Sequence, residues 1–323
     1  MAFIYDLIEA VRKEDFIYIQ THDFPDHDAV ASAYALQYIL KSRGTSSYLT
    51  FSGRIQRDSL LRMIRLLNIS IREAEREPLR PFDKIVIVDG RKGSPKVTDL
   101  TGEEIAVIDH HEAPHPEGVK LVDIRADYGA CSSIVYTYFE ELAIETPERV
   151  ATALLTGLLS ATQLMTTRVT EPDVHAYNGL YDSSDVRLVN SILSSTIQKK
   201  DLSFYREAID RVRIQDRAAF CYFPEGCNEN LLGVIADFFL SLAEVEFVFL
   251  CAKNNGKINF SLRNEADEWH AASILKSLLE GIGYAGGHSD MATGIVNDPS
   301  AFDEEALFSR LLGLLERKAG GGP

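Results

Sequence analysis

Three short stretches of the 323-residue chain end in side chains able to hold a metal ion. IAVIDHH (105–111) runs as an apolar strand into Asp109, His110 and His111. THDFPDHD (21–28) closes another such run with His22, Asp26 and Asp28, and KIVIVDG (84–90) reaches Asp89. Carboxylates and imidazoles without thiolates suit first-row divalent metals such as manganese. An Asp-x-Asp spacing lets two carboxylates face neighbouring ions, and a lone aspartate ending a central strand can bridge both. Two ions about 3.5–4 Å apart activate a water and clamp a phosphoryl oxygen. Each motif alone has a plainer reading: Asp28, for example, could simply cap the helix that follows it. The conjunction argues for a site, because every group falls at the carboxyl end of a strand. His27, His115, His175 and His270 have no such company and read as surface or structural histidines.

The elements that must position these groups follow from periodicity. FIYIQTH (16–22) and SSYLTFSG (46–53) read as strands, with a helix from about Asp28 between them and another over DSLLRMIRLLNI (58–69). The runs at 84–90 and 105–111 are continuously apolar, as strands covered on both faces are. VKLVDI (119–124) is a further strand, and helices follow at about 130–142 and 147–162. This alternation predicts a mainly parallel, doubly covered sheet, with ligands bound beyond the strands' carboxyl ends. The first domain is expected over 1–182, a helical linker over 183–210 and a smaller α/β domain over 211–318. That second domain has strands at RAAFCYF, EFVFLCAK and KINFSLR, a hairpin turn at NNG (254–256), a helix HAASILKSLLEGIG and a final strand MATGIV. AGGGP (319–323) reads as a flexible tail.

Composition closes off several classes. A length of 323 residues suits two domains, and 46% apolar residues are enough for real cores. No apolar run approaches a membrane span, and the acidic, amphipathic MAFIYDLIEAVRKED is not a signal peptide. The four cysteines show no CxxC pairing, so a reducing, cytoplasmic setting is expected. A net charge of −15 opposes a groove for long duplex nucleic acid. It leaves room for a small phosphorylated ligand, since bound cations reverse the local sign.

Taken together the stretches resemble the DHH-family phosphoesterases. HDFPDHDAVASA resembles that family's first motif, VDG its second and VIDHH the motif that names it. GGHSDMATG (286–294) and SLR (261–263) resemble motifs of the associated C-terminal domain. The resemblance spans essentially the whole chain and points to the short, two-domain members: nanoRNase-like enzymes, pAp phosphatases and linear or cyclic dinucleotide phosphodiesterases. It implies a metal-bearing catalytic domain and a mobile substrate-binding domain that closes a cleft. Position by position, it implies His22, Asp26 and Asp89 as ligands of one metal and Asp28, Asp89 and His110 as ligands of another, with Asp89 bridging. It gives His111 the scissile phosphate and Asp109 the task of orienting His110 or His111. Gly286 and Gly287 would let backbone approach the substrate, while His288 and Arg263 would hold phosphate or the nucleotide end. Arg57 is a weaker candidate and reads as a surface helix residue.

The resemblance breaks at one motif. The family's "G-I-x-x-D-T" supplies an aspartate to the second metal. Here TGLLSATQLMTTRVTEPD (156–173) matches its glycine with Gly157 and its threonine with Thr162, but sets Ala161 at the aspartate. Ser160 and Thr162 are poor replacements, since neutral hydroxyls are weak ligands beside carboxylates. The expectation is therefore a two-Mn2+ centre whose second site is weakened by Ala161, with Mg2+ or Co2+ as other occupants. The expected substrate is a small nucleotide or short oligonucleotide, and the expected assembly a homodimer. An impaired nucleotide-binding protein or sensor is the alternative. A pyrophosphatase or polyphosphatase is a lesser one, because the glycine-rich motif belongs to nucleotide-cleaving relatives.

Overall fold

The computed structural model describes residues 2–112, 114–194 and 197–319. The chain divides into two units, residues 1–196 and 197–323. In the first, β1 (Phe16–Thr21), β2 (Ser46–Phe51), β3 (Ile71–Glu73), β4 (Lys84–Val88), β5 (Glu103–Asp109) and β6 (Leu121–Ile124) form one parallel sheet in the order β3-β2-β1-β4-β5-β6. The strand order reverses between β1 and β4, the place where such sheets bind ligands.

Both faces of the sheet are apolar, with side chains alternating at a period of two. Ile17, Ile19, Val86, Val88, Ala106 and Ile108 face one core, whereas Tyr18, Ile85, Ile87 and Val107 face another. The first core takes in residues from all seven helices of the unit: α1 (Phe3–Val11), α2 (His27–Ser42), α3 (Asp58–Leu66), α4 (Cys131–Glu141), α5 (Glu148–Ala161), α6 (Glu171–Tyr181) and α7 (Val186–Leu193). The second core is closed instead by loop residues, among them Leu79, Val97, Leu100 and Val119. The sheet is thus covered twice, by helices on one side and by loops on the other.

Gly157 lets α5 press against the start of α2. A Cβ there would lie 2.3 Å from Ser132 Oγ, 3.0 Å from Ala31 Cβ and 3.1 Å from Asp28 Cα. Overpacking of this kind costs about 1–3 kcal/mol, against about 1 kcal/mol gained when alanine replaces a helical glycine. Gly157→Ala is therefore expected to lower stability by up to about 2 kcal/mol, read as a lower urea midpoint with unchanged slope. A midpoint at or above that of the parent protein would show that the two helices part freely.

In the second unit, β7 (Arg213–Gln215), β8 (Ala218–Phe223), β9 (Phe247–Asn254), β10 (Lys257–Asn264), β11 (Tyr284–Gly287) and β12 (Met291–Val296) form a sheet ordered β11-β12-β10-β9-β8-β7. Only β8 and β9 pair in parallel. α10 (Ala271–Leu278) and α11 (Glu304–Ala319) cover one face, and α8 (Leu202–Arg211) and α9 (Glu229–Leu240) the other. The predicted hairpin turn is present: Asn255 and Gly256 both have positive φ, 51° and 75°, as a two-residue loop with the strands' twist requires.

The span expected as a separate linker is shared between the units. α7 buries Val189 and Ile192 in the first unit's core, and α8 buries Ala208 in the second. The expected flexible tail lies, after Ala319, outside the described residues.

Candidate metal centre

The motif loop THDFPDHD turns sharply from β1 into α2. Asp26 caps α2, its Oδ1 accepting the amides of Asp28 (3.0 Å) and Ala29 (3.1 Å). His22 donates from Nδ1 to the Asp23 carbonyl at 2.8 Å, which leaves Nε2 facing the carboxylates. That Nε2 lies 4.0 Å from Asp26 Oδ1 and 3.7 Å from Asp89 Oδ2. On the other side His110 sets Nδ1 3.2 Å from the Tyr128 carbonyl and turns Nε2 to within 3.4 Å of Asp89 Oδ1. Two imidazoles, each braced by a backbone carbonyl, thus flank one carboxylate from its two oxygens, as metal-ligating histidines commonly do.

Asp89 is the least comfortable residue of the unit. It is 3% exposed, its φ is +58°, and its Oδ1 is buried without a hydrogen-bond partner. Left-handed backbone at a non-glycine residue and an orphaned buried acceptor each carry a cost that a bound cation would offset. The donor set fits a divalent ion: ligand atoms of His22, Asp26 and Asp89 converge within 4.8 Å of one another, and so do those of Asp89, His110 and His111.

The second group differs from the expected set of Asp28, Asp89 and His110. Asp28 is buried and holds the N-terminus of α4, with Oδ2 accepting the Cys131 amide and Oδ1 the Ser132 amide, each at 2.8 Å. The Ser132 hydroxyl donates to Oδ1 as well. His111 is also committed, because its Nδ1 meets Asp109 Oδ1 at 2.8 Å. The same Asp109 oxygen accepts the amides of His110 and His111. Asp109 is therefore the orienting group, and it leaves His111 Nε2 for a ligand. Ala161 ends α5, half-buried, and packs in a small apolar cluster with Ala130, Leu158 and Ala176. His27 is buried rather than superficial, with Nδ1 3.2 Å from Ser160 Oγ. Burial, aided by Arg57, pushes its pKa down to about 4 and keeps it neutral.

Without a cation the site recruits protons. Burial raises the Asp28 carboxyl to about 7, and the neighbouring Asp89 charge adds to it. Burial opposes the His110 imidazolium, yet contact with Asp89 and the charges of Asp89 and Asp28 prevail and raise it to about 10. Both folded-state values exceed those of the unfolded chain. The stability due to Asp28 protonation is therefore full below about pH 4 and is lost as pH rises through about 7; that due to His110 is full below about 6.5 and is lost toward about 10. Metal binding must displace these protons. The gain in Tm on adding Mn2+ is expected to grow from pH 6 to pH 9, with protons released in calorimetry run in buffers of different ionisation enthalpy. A pH-independent gain would place the ion elsewhere.

In the second unit, Arg263 is half-engaged: Nε meets Asp237 Oδ1 at 2.5 Å, and Nη1 donates to the Leu262 carbonyl at 3.0 Å. Register sets Arg263 opposite Met291, whose carbonyl accepts the His288 amide at 2.7 Å, so Arg263 and the glycine motif share one end of the sheet. The two glycines differ. Gly287 has φ +144° and a Cβ there would strike the Met291 carbonyl at 2.3 Å, whereas Gly286 has open space beside it. Gly287 makes the turn, and Gly286 exposes backbone.

The partners of Asp28 escaped the sequence reading. The small residues of GACSS (129–133) just before an apolar helix are the signal that could have found them.

Carboxylates and imidazoles thus converge at the reversal point of a parallel sheet, a donor set that suits a divalent metal. Residues 16–162 match the N-terminal domain of the DHH family and residues 215–310 match the DHHA1 domain. The chain belongs to the DHH family. It is 29% identical over 302 residues to an uncharacterised protein of Methanocaldococcus jannaschii, covering 92% of this chain and 62% of that one. It is 28% identical over 163 residues to a probable manganese-dependent inorganic pyrophosphatase of Streptococcus thermophilus, covering 49% of this chain and 53% of the relative. The chain thus spans little more than half the length of these curated relatives. An exopolyphosphatase-related protein from Bacteroides fragilis shares the fold, with a TM-score of 0.73 and 17% identity over 98% of this chain and 96% of that one. No helix among the described residues is long and apolar enough to cross a membrane.

Proposed function

We propose that this chain is a manganese-dependent phosphoesterase acting on short nucleotides: oligoribonucleotides, linear or cyclic dinucleotides, or pAp. The observation that carries the metal part is Asp89, strained, buried and orphaned between two braced imidazoles. Bound Mn2+ would polarise a phosphoryl oxygen and acidify a water. His22, Asp26 and Asp89 would hold one ion. Asp89 and His110, with what remains of Asp28's lone pairs, would hold a second more weakly. His111, oriented by Asp109, would offer a donor from Nε2 to the scissile phosphate and steady its developing charge. Gly286, His288 and Arg263 would take the remote end of the substrate.

The test is Mn2+-dependent turnover of pApA, pGpG, pAp and cyclic dinucleotides, with pyrophosphate as the control its relative's name demands. Cleavage of pyrophosphate alone would overturn the nucleotide reading. Ala161 favours a second reading, a nucleotide-binding protein or sensor with little turnover, in which nucleotides bind and none is cleaved.

A further inference from the structure

The loop that carries His22 and Asp26 also carries Phe24, and nothing in the metal chemistry needs a phenyl ring there. Phe24 is 48% exposed, and its φ is +54°, a region that bulky residues rarely enter. The conformation is imposed from both sides. The Phe24 amide donates to the Ser52 carbonyl at 3.1 Å. Asp23 is pinned by its amide to the Lys96 carbonyl (2.7 Å) and by its carboxylate to the amide (3.0 Å) and hydroxyl (2.8 Å) of Thr98. Strain held this firmly at an exposed position is characteristic of binding sites.

The ring lies flat on Gly53, the first residue after β2 and its following serine. A Cβ at Gly53 would stand 2.8–3.0 Å from three ring atoms, so the absence of a side chain is what seats the ring. The ring is therefore supported on the Gly53 side, and much of it stays open. The same loop then supplies Arg54 and Arg57, both exposed, and neither forms a salt bridge among the described residues.

We infer that Phe24, with Arg54 and Arg57, forms a subsite on the β2 side of the metal centre that stacks one nucleobase and binds its terminal phosphate. This rests on the nucleotide reading above and specifies where the base goes. An aromatic platform accepts any base, since each has a π-face, so this subsite would confer preference for nucleotides over pyrophosphate rather than for one base.

The test uses the full chain with Mn2+ and a dinucleotide 5′-phosphate containing 2-aminopurine, whose fluorescence falls on stacking. The parent protein and Phe24→Trp should quench and bind alike. Phe24→Leu, similar in size and equally strained, should bind about ten- to hundredfold more weakly. An abasic analogue should bind both forms equally. Removing the 5′-phosphate should weaken the parent protein and leave Arg57→Gln indifferent. Mn2+ affinity, measured separately, should be the same in the parent protein, Phe24→Trp and Phe24→Leu. If the parent protein binds the dinucleotide and Phe24→Leu binds it equally well, the subsite is wrong while the nucleotide reading stands. If the parent protein binds no dinucleotide, both fall.

Discussion

Asp89→Asn is expected to lower Mn2+-dependent turnover by at least about a thousandfold while leaving the fold intact. Losing the shared ligand removes several kcal/mol of transition-state stabilisation, and each 1.36 kcal/mol is tenfold in rate. Asparagine is the informative replacement because it keeps the side-chain shape and tolerates left-handed backbone, where alanine would add strain of its own. It also removes the buried charge that the His22 and His110 imidazoles flank. The metal-free variant loses the pairing with His110 and should melt lower than the parent protein at neutral pH, and Mn2+ should no longer raise its Tm. Retained turnover with retained metal stabilisation would show that Asp89 does not bridge.

Ala161→Asp should act in the opposite direction. Ala161 packs against Ala130, the residue before the α4 amides that hold Asp28. The motif resemblance sets a second-metal aspartate at this position. Turnover of a short nucleotide at saturating Mn2+ should rise by at least about a hundredfold, about 2.7 kcal/mol of barrier. Ground-state affinity should change much less, because Arg263, His288 and Phe24 are not ligands of the ion. A binding protein without catalysis predicts nucleotide affinity in both forms and turnover in neither. Equal rates in the two proteins would remove Ala161 from the explanation.

Much of this was readable before any coordinates. β4 and β5 are unbroken apolar runs, so both their burial and the polar residue at each end stood out. The set His22, Asp26 and Asp89 was legible because each member sits at a strand end or in the loop just after one. The grip of Asp28 on Cys131 and Ser132 was not, because it joins groups 103 and 104 positions apart and leaves no local pattern. β11 was missed for a different reason. YAGG lacks the branched residues that mark a strand and is one only because β12 pairs with it. α7 and α8 looked like a tether, since only packing tells which unit each joins.

The backbone at Asp89 also bears on how this family can drift. Left-handed φ admits glycine, asparagine and aspartate with least penalty, and of these only aspartate is a strong ligand. The position is thus confined twice, once by the chain's path and once by its chemistry, and almost every replacement is eliminated. Position 161 carries neither restriction. It closes an ordinary right-handed helix, where alanine is the most readily accepted residue of all. A lineage relaxing its demand for speed would lose a ligand at the helix end long before it lost one at the strand end. Substitution at position 161 thus meets far less resistance from the backbone than substitution at Asp89.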